Sequence, residues 1–252
     1  MANQPPLTQA AVDDITTNIM QARQNMLDAT IEAAALKRAP NLSRVLYVGK
    51  IPAEKWPETS KERVREWHET VMKGAGMVTK MYGFLMVYPT CVLHMLEAET
   101  AVLMHVVRAL RGEGKLEPIL EGVCVLSFTE MVAMKVWPAW MSTFVKSDNL
   151  GPYVHEGFHV IRKISEVNIN LLKAGRIFSD LPKDDLPGAL ESLRHTVEDL
   201  VVWDPNEIWK FILDEKTPKL DEFWELMCEP PVVVFDSDKI WPMTDLPIRV
   251  LD

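Results

Sequence analysis

The sequence predicts an α+β fold in which a five-stranded mixed sheet, in the order β-α-β-β-α-β-β, is followed by helices alone. Three observations carry that expectation. Residues 81–97 hold two nearly continuous apolar runs, Met81 to Val87 and Cys91 to Leu96 with His94 the polar exception, separated by Tyr88-Pro89-Thr90. Such runs fit strands covered on both faces, and Pro89, which has no amide to donate, suits the corner of a hairpin. On either side of this hairpin, β-branched and aromatic runs alternate with amphipathic helical patterns. Beyond the turn-forming stretch Ser147-Asp148-Asn149-Leu150-Gly151-Pro152 the periodicity is helical. The chain therefore divides into an N-terminal segment (1–40), a sheet module (41–146) and a helical extension with a tail (147–252).

Leu7 to Lys37 lacks Gly and Pro, and Val12, Ile15, Ile19, Ala22, Met26 and Ala29 recur at steps of three and four, one stripe of an amphipathic helix. Ala39-Pro40-Asn41 ends it, because the residue before proline is disfavoured in the α region. Arg44 to Ile51 has strand composition and Pro52 closes it. Thr59 and Glu62 have capping-box spacing, and the helix they start buries Val64, Trp67, Val71 and Met72 before Gly74-Ala75-Gly76. After the hairpin, Ala101 to Arg111 forms a second helix stopped by Gly112 and Gly114. Leu120 to Val132 reads as a strand with Val123 to Leu126 and Phe128 inside, and Trp137 to Phe144 as a last short one. In the extension, Phe158, Ile161, Ile164, Ile169 and Leu172 mark a helix ending at Gly175, and a second after Pro187 carries Leu193, Val197 and Leu200. Asp204-Pro205 launches Ile208 to Leu213, since the carboxylate caps and proline is tolerated in the first turn. Leu220 to Cys228 makes a further helix, and the tail holds a strand-like run from Val232 to Phe235.

Composition narrows the function classes. The 252 residues, 48% of them hydrophobic, suffice for a sizeable core. A net charge of −9 without a long basic run argues against a nucleic-acid surface. Cys91, Cys124 and Cys228 are odd in number and set among apolar residues, which predicts buried thiols in a reducing, cytoplasmic compartment. No apolar run approaches the ~20 residues of a membrane span, and no secretory signal is read at the N-terminus. Phosphate-loop, dinucleotide and nucleophile-elbow patterns are absent from the sequence.

Leu46-Tyr47-Val48, Tyr82-Gly83-Phe84-Leu85, Leu93-His94-Met95-Leu96-Glu97 and Trp137-Pro138-Ala139-Trp140-Met141-Ser142, in this order, resemble the strands of the BLUF domain, a ferredoxin-like flavin photoreceptor module. The resemblance spans about residues 44–145. In that family the light chemistry rests on a first-strand tyrosine, a third-strand glutamine and an asparagine before the second strand. Tyr47 matches the first, His94 stands where the glutamine would be, and Gly74, Ala75 and Gly76 occupy the asparagine region. An imidazole does not reproduce an amide's paired donor and acceptor. With its N-terminal helix and helical extension, the chain looks like a narrower animal group, the testis-expressed protein 47 type. That resemblance implies sperm and, by extension, ciliary or flagellar axonemes.

His155-Glu156-Gly157-Phe158-His159 has the spacing with which two imidazoles bind zinc beside a glutamate base, giving a metallopeptidase alternative, with Glu166 as a candidate third ligand. Gly157 inside the motif and Gly151-Pro152 before it count against a rigid helix there. His94, His105 and Trp67 read as packing residues, with His94 hydrogen-bonded in the core. Met77, Met81, Met86, Met95 and Met104 read as core filler, and Glu97 to Glu99 and Asp184-Asp185 as solvated surface. No catalytic, cofactor-binding or metal residue is assigned, and the expected role is a non-catalytic structural or adaptor subunit with protein partners. A flavin photoreceptor or redox sensor is the alternative.

Overall fold

The computed structural model describes residues 42–55, 60–74, 81–147 and 159–228. The N-terminal helix expected over 7–37, the capping threonine Thr59 and the tail after Cys228 lie outside them. The module runs β1 (Leu42–Lys50), α1 (Ser60–Gly74), β2 (Tyr82–Val87), β3 (Cys91–Glu99), α2 (Thr100–Leu110), β4 (Glu121–Val132) and β5 (Trp140–Phe144). The strands lie in the order β4-β1-β3-β2-β5. β1 is antiparallel to both β3 and β4, β2 is antiparallel to β3, and β5 joins β2 in parallel. β3 thus sits between β1 and β2, the split βαβ arrangement of a ferredoxin-like sheet with a fifth strand added.

Both sheet faces are covered, as the nearly all-apolar hairpin requires. Val45, Tyr47, Leu85, Val92 and Leu96 point toward α1 and α2, whose Val64, Trp67, Val71, Leu103 and Val106 complete one core. Leu46, Val48, Phe84, Met86, Leu93 and Met95 point the other way. That second face is covered by the extension, which forms α3 (Val160–Asp180), α4 (Leu186–Glu191), α5 (Leu193–Thr196), a 3-10 turn (Glu198–Leu200), α6 (Pro205–Leu213) and α7 (Leu220–Cys228). α3 and α6 supply Val167, Leu171, Phe178, Ile208 and Phe211 to it. α7 crosses to the first face with Leu220 and Phe223.

The hairpin corner is clamped by the extension. Tyr88 is fully buried and its hydroxyl donates to Val202 O at 2.5 Å, while Trp209 Nε1 donates to Thr90 Oγ1 at 2.9 Å. In β2, Gly83 has φ +146°, and a Cβ there would lie 2.2 Å from the Met95 carbonyl oxygen, so only glycine fits this close strand approach.

Several expectations are corrected. α3 continues through Gly175 to Asp180, because the missing side chain lets the helix lie against Trp137 instead of ending there. Its buried stripe is Val160, Val167, Leu171, Ala174 and Phe178, with Ile164 and Leu172 packed beside it as expected, whereas Ile161 and Ile169 are exposed. The helix expected after Pro187 is broken into two short helices and a 3-10 turn. Trp137 precedes β5 and is a core residue, stacked on Phe84 at a 4.8 Å centroid distance. Cys91 and Cys124 are buried, but Cys228 is exposed. Asp204 does cap α6, its side chain accepting from Asn206 N.

Candidate functional site

Tyr47, on the α1/α2 face of β1, stands opposite His94 of β3 in the antiparallel register. α1 carries Val64, His68 and Val71 at helical spacing, so His68 falls on the same buried stripe as Trp67 and projects at the sheet. Tyr47 Oη lies 2.7 Å from His68 Nε2 and 2.7 Å from His94 Nδ1. His68 Nδ1 is 2.7 Å from Val64 O, and Trp140 Nε1 is 3.0 Å from His94 Nε2. Tyr47, His68 and His94 are all buried.

The ends of this chain fix every proton in it. An indole N–H only donates, so His94 Nε2 is bare and its neutral ring carries hydrogen on Nδ1, which donates to Tyr47 Oη. A carbonyl only accepts, so His68 is protonated on Nδ1 and its bare Nε2 accepts the Tyr47 hydroxyl. Four bonds thus run one way, from Trp140 through His94, Tyr47 and His68 to the Val64 carbonyl.

The electrostatics agree with neutral rings. Burial lowers His68 to about 4 against the raising effect of its Val64 hydrogen bond. Burial, then the facing His68, holds His94 well below the usual histidine range, and burial raises Tyr47 well above the phenol range. The chain is satisfied from end to end and ends on a carbonyl that passes no proton on. It locks α1 and β5 to the centre of the sheet.

A second buried polar centre lies farther along the same strands. Glu97, expected at the surface, is fully buried: Arg44 Nε donates to Oε1 at 2.7 Å, and Oε2 accepts Val136 N at 2.9 Å and Trp137 N at 3.0 Å. Both carboxylate oxygens are committed, so the pair fixes the β4–β5 connection to the sheet.

The other candidates do not converge. His159 is exposed and precedes the first turn of α3, and residues 155–158 of the zinc-type motif lie outside the described residues. Glu166 reaches Lys163 at 3.5 Å. Among the described residues, no three His, Cys, Asp or Glu side chains are placed to hold a metal. His105 is exposed, at a groove of about 780 Å³ between α1 and α2, against the expectation of packing. Trp67 is buried, with Nε1 donating to Glu117 O, and Met81, Met86 and Met95 are core residues as expected. Met77 lies outside the described residues. Sequence reasoning missed His68, although its place between Trp67 and Val71 on a buried helical stripe was a signal for it.

A family model described as testis-expressed protein 47 matches residues 41–223, from just before β1 into α7. The chain belongs to the testis-expressed protein 47 family. No curated protein matches it by sequence. Solved structures similar to this family member include a bacterial light-regulated adenylyl cyclase, at 12% identity and TM-score 0.33 over 60% of this chain and 40% of that one. BlrB, a BLUF protein in its dark state, is 8% identical over 64% of this chain and 98% of its own, with TM-score 0.34. Klebsiella pneumoniae BlrP1, in a manganese and cyclic-di-GMP complex, is 13% identical over 69% of this chain and 35% of that one, with TM-score 0.35. This chain therefore spans about two fifths of the cyclase. The fold stands on the strand order and register of the chain itself.

The residues of this family member do not fit a flavin ring at the position the BLUF resemblance implies. Both nitrogens of His94 are engaged, Tyr47 is held between two imidazoles, and the His68 ring of α1 lies edge-on against His94 and Trp67. None of these polar atoms is left to address a ligand.

Proposed function

We propose that the chain is a non-catalytic structural or adaptor subunit that joins protein partners in a larger assembly, in the axoneme of cilia or of the sperm flagellum. The observation that carries this reading is the closed hydrogen-bond chain through Tyr47, His68 and His94, which uses for rigidity the positions that a flavin module uses for ligand chemistry. Membership of a testis-expressed family supports sperm as the setting, and the axoneme extends it. Helices α3 to α7 are occupied in covering the sheet, so partner contacts fall to surface side chains such as Met131, Met134, Ile161 and Leu226, all more than half exposed, and to residues 1–41 and 229–252. No helix among the described residues is long and apolar enough to cross a membrane.

Proximity labelling with the full chain in sperm or multiciliated cells is expected to return axonemal neighbours. Labelling confined to metabolic enzymes, or purification of a yellow protein with stoichiometric flavin, would sink the proposal. A zinc ion lost on changing His155 or His159 would favour the peptidase alternative.

A further inference from the structure

Cys124 of β4 and Lys219, in the connection between α6 and α7, face one another across a single antiparallel bridge on the outer edge of the sheet. Directly opposed residues in such a pair project to the same side, and here Lys219 Nζ comes to 3.4 Å from Cys124 Sγ. The backbone enforces the match, because Val125 N donates to Pro218 O at 3.1 Å, and Lys219 Nζ is anchored on Ile212 O at 2.6 Å. Cys124 is fully buried and Lys219 half-buried. The sulfur's other polar neighbours are the carbonyls of Gly122 at 3.4 Å and Ile212 at 3.9 Å. A carbonyl forms no bond to an oxidised sulfur, whereas an amine does.

We propose that Cys124 and Lys219 form a redox-controlled covalent cross-link in which one oxygen atom, supplied by a peroxide, bridges Sγ and Nζ. A first peroxide oxidises the thiol by two electrons to the sulfenic acid and leaves as water. Lys219 gives one proton to solvent, and a second peroxide oxidises the nitrogen by two electrons. The O–H bond of the sulfenic acid and one N–H bond break, the N–O bond forms, and two waters leave. A 3.4 Å gap is closed by a bridging oxygen with less movement than a direct sulfur–nitrogen bond needs. Burial raises the Cys124 thiol while Lys219 pulls it back down, so the resting sulfur is a thiol and cross-linking is slow and needs sustained oxidant. The link ties β4 to the segment that leads into α7, whose Leu220 and Phe223 complete the core beside α2.

The test treats the full chain with hydrogen peroxide and maps peptides by mass spectrometry, with and without a thiol reductant. The expected product joins the Cys124 and Lys219 peptides with the mass of one added oxygen less two hydrogens. It disappears on reduction and is absent from Lys219→Arg, which keeps the positive charge and can still reach the Ile212 carbonyl. The thermal midpoint of the oxidised wild type rises by about 5 °C and falls back on reduction, while that of Lys219→Arg does not move. The proposal is overturned if Cys124 is recovered as a free thiol, as an unlinked sulfenic or sulfinic acid or as a disulfide, if the link contains no oxygen, or if Lys219→Arg gives the same product.

Discussion

The indole nitrogen of Trp140 lies 3.0 Å from Nε2 of His94, and this one contact sets the tautomers of two histidines that are distant in sequence. With Nε2 of His94 held as an acceptor, its Nδ1 must donate to Tyr47, and the tyrosine must donate onward to His68. β5, α1 and the centre of the sheet are locked by directional bonds in a space where apolar contacts alone would tolerate sliding.

Replacing His94 by leucine removes the acceptor for Trp140 and the donor for Tyr47 while keeping the volume apolar. The buried Tyr47 hydroxyl and the half-buried Trp140 indole each lose a partner, and the expected loss of unfolding free energy is about 2–4 kcal/mol. His94→Gln, whose amide has both a donor and an acceptor end, should recover part of it. Urea unfolding of the three proteins checks the order wild type, Gln, Leu. Equal midpoints for Leu and wild type would show that the chain of bonds does not hold the structure.

Acid should weaken this protein in a defined window. His68 is lowered by burial from 6.5 to about 4, and His94 is held well below the usual range by burial and by His68. The unfolded chain takes up these protons first, so the stability they confer is complete above about pH 6.5 and is lost as the pH falls toward 4. For His68 alone the displacement corresponds to about 3 kcal/mol. Urea midpoints at about pH 7.5 and about pH 5 should differ accordingly, and His68→Leu, although destabilised, should show a flatter dependence.

Arg44 and Glu97 form a buried pair whose value lies as much in the backbone it serves as in the charge. Glu97→Leu strands a guanidinium that is 10% exposed and should cost about 3–5 kcal/mol. Removing both charges with Arg44→Leu and Glu97→Leu avoids that penalty. It still leaves the amides of Val136 and Trp137 without their acceptor, so the double variant should remain about 2 kcal/mol below wild type. A double-mutant cycle by chemical denaturation separates the two terms. A double variant as stable as wild type would show that the amides find other partners.

The succession of strands and helices along the chain was legible because each strand of the hairpin is apolar at nearly every position, and the helices between strands show clear periodicity. The central histidine was legible as a packed residue because Leu93 and Met95 flank it. Glu97 was misread, since its burial depends on Arg44 from β1 and on two amides from the β4–β5 connection, groups 53, 39 and 40 residues away that local patterning does not bring together. His68 was hidden for a related reason: its role is visible only when β1 and β3 place Tyr47 and His94 beneath α1. The α3 stripe was legible at Ile164 and Leu172, which pack on the second core, and misassigned at Ile161 and Ile169, because the close contact is marked by small residues, Ala174 and Gly175, that carry no strong hydrophobic signal.

Gly175 offers a contest between local and tertiary effects. In an exposed helix, alanine is favoured over glycine by about 1 kcal/mol. At this position a Cβ would stand 2.8 Å from Trp137 Cε2 and 2.9 Å from Val136 Cγ1. The Trp137 ring has little room to give, being stacked on both Phe84 and Phe178, which also stack on each other, with its Nε1 donating to Met95 Sδ at 3.4 Å. Gly188, in α4, has nothing within 4 Å of its would-be Cβ. Gly175→Ala should therefore destabilise the protein by about 1–3 kcal/mol through overpacking, while Gly188→Ala should be neutral or stabilise it by up to about 1 kcal/mol. Urea unfolding measures both, and the near-ultraviolet dichroism of Trp137 should change only in the first. Similar stabilisation of both variants would mean that α3 does not press on Trp137 and that the covering of the second sheet face is looser than these contacts require.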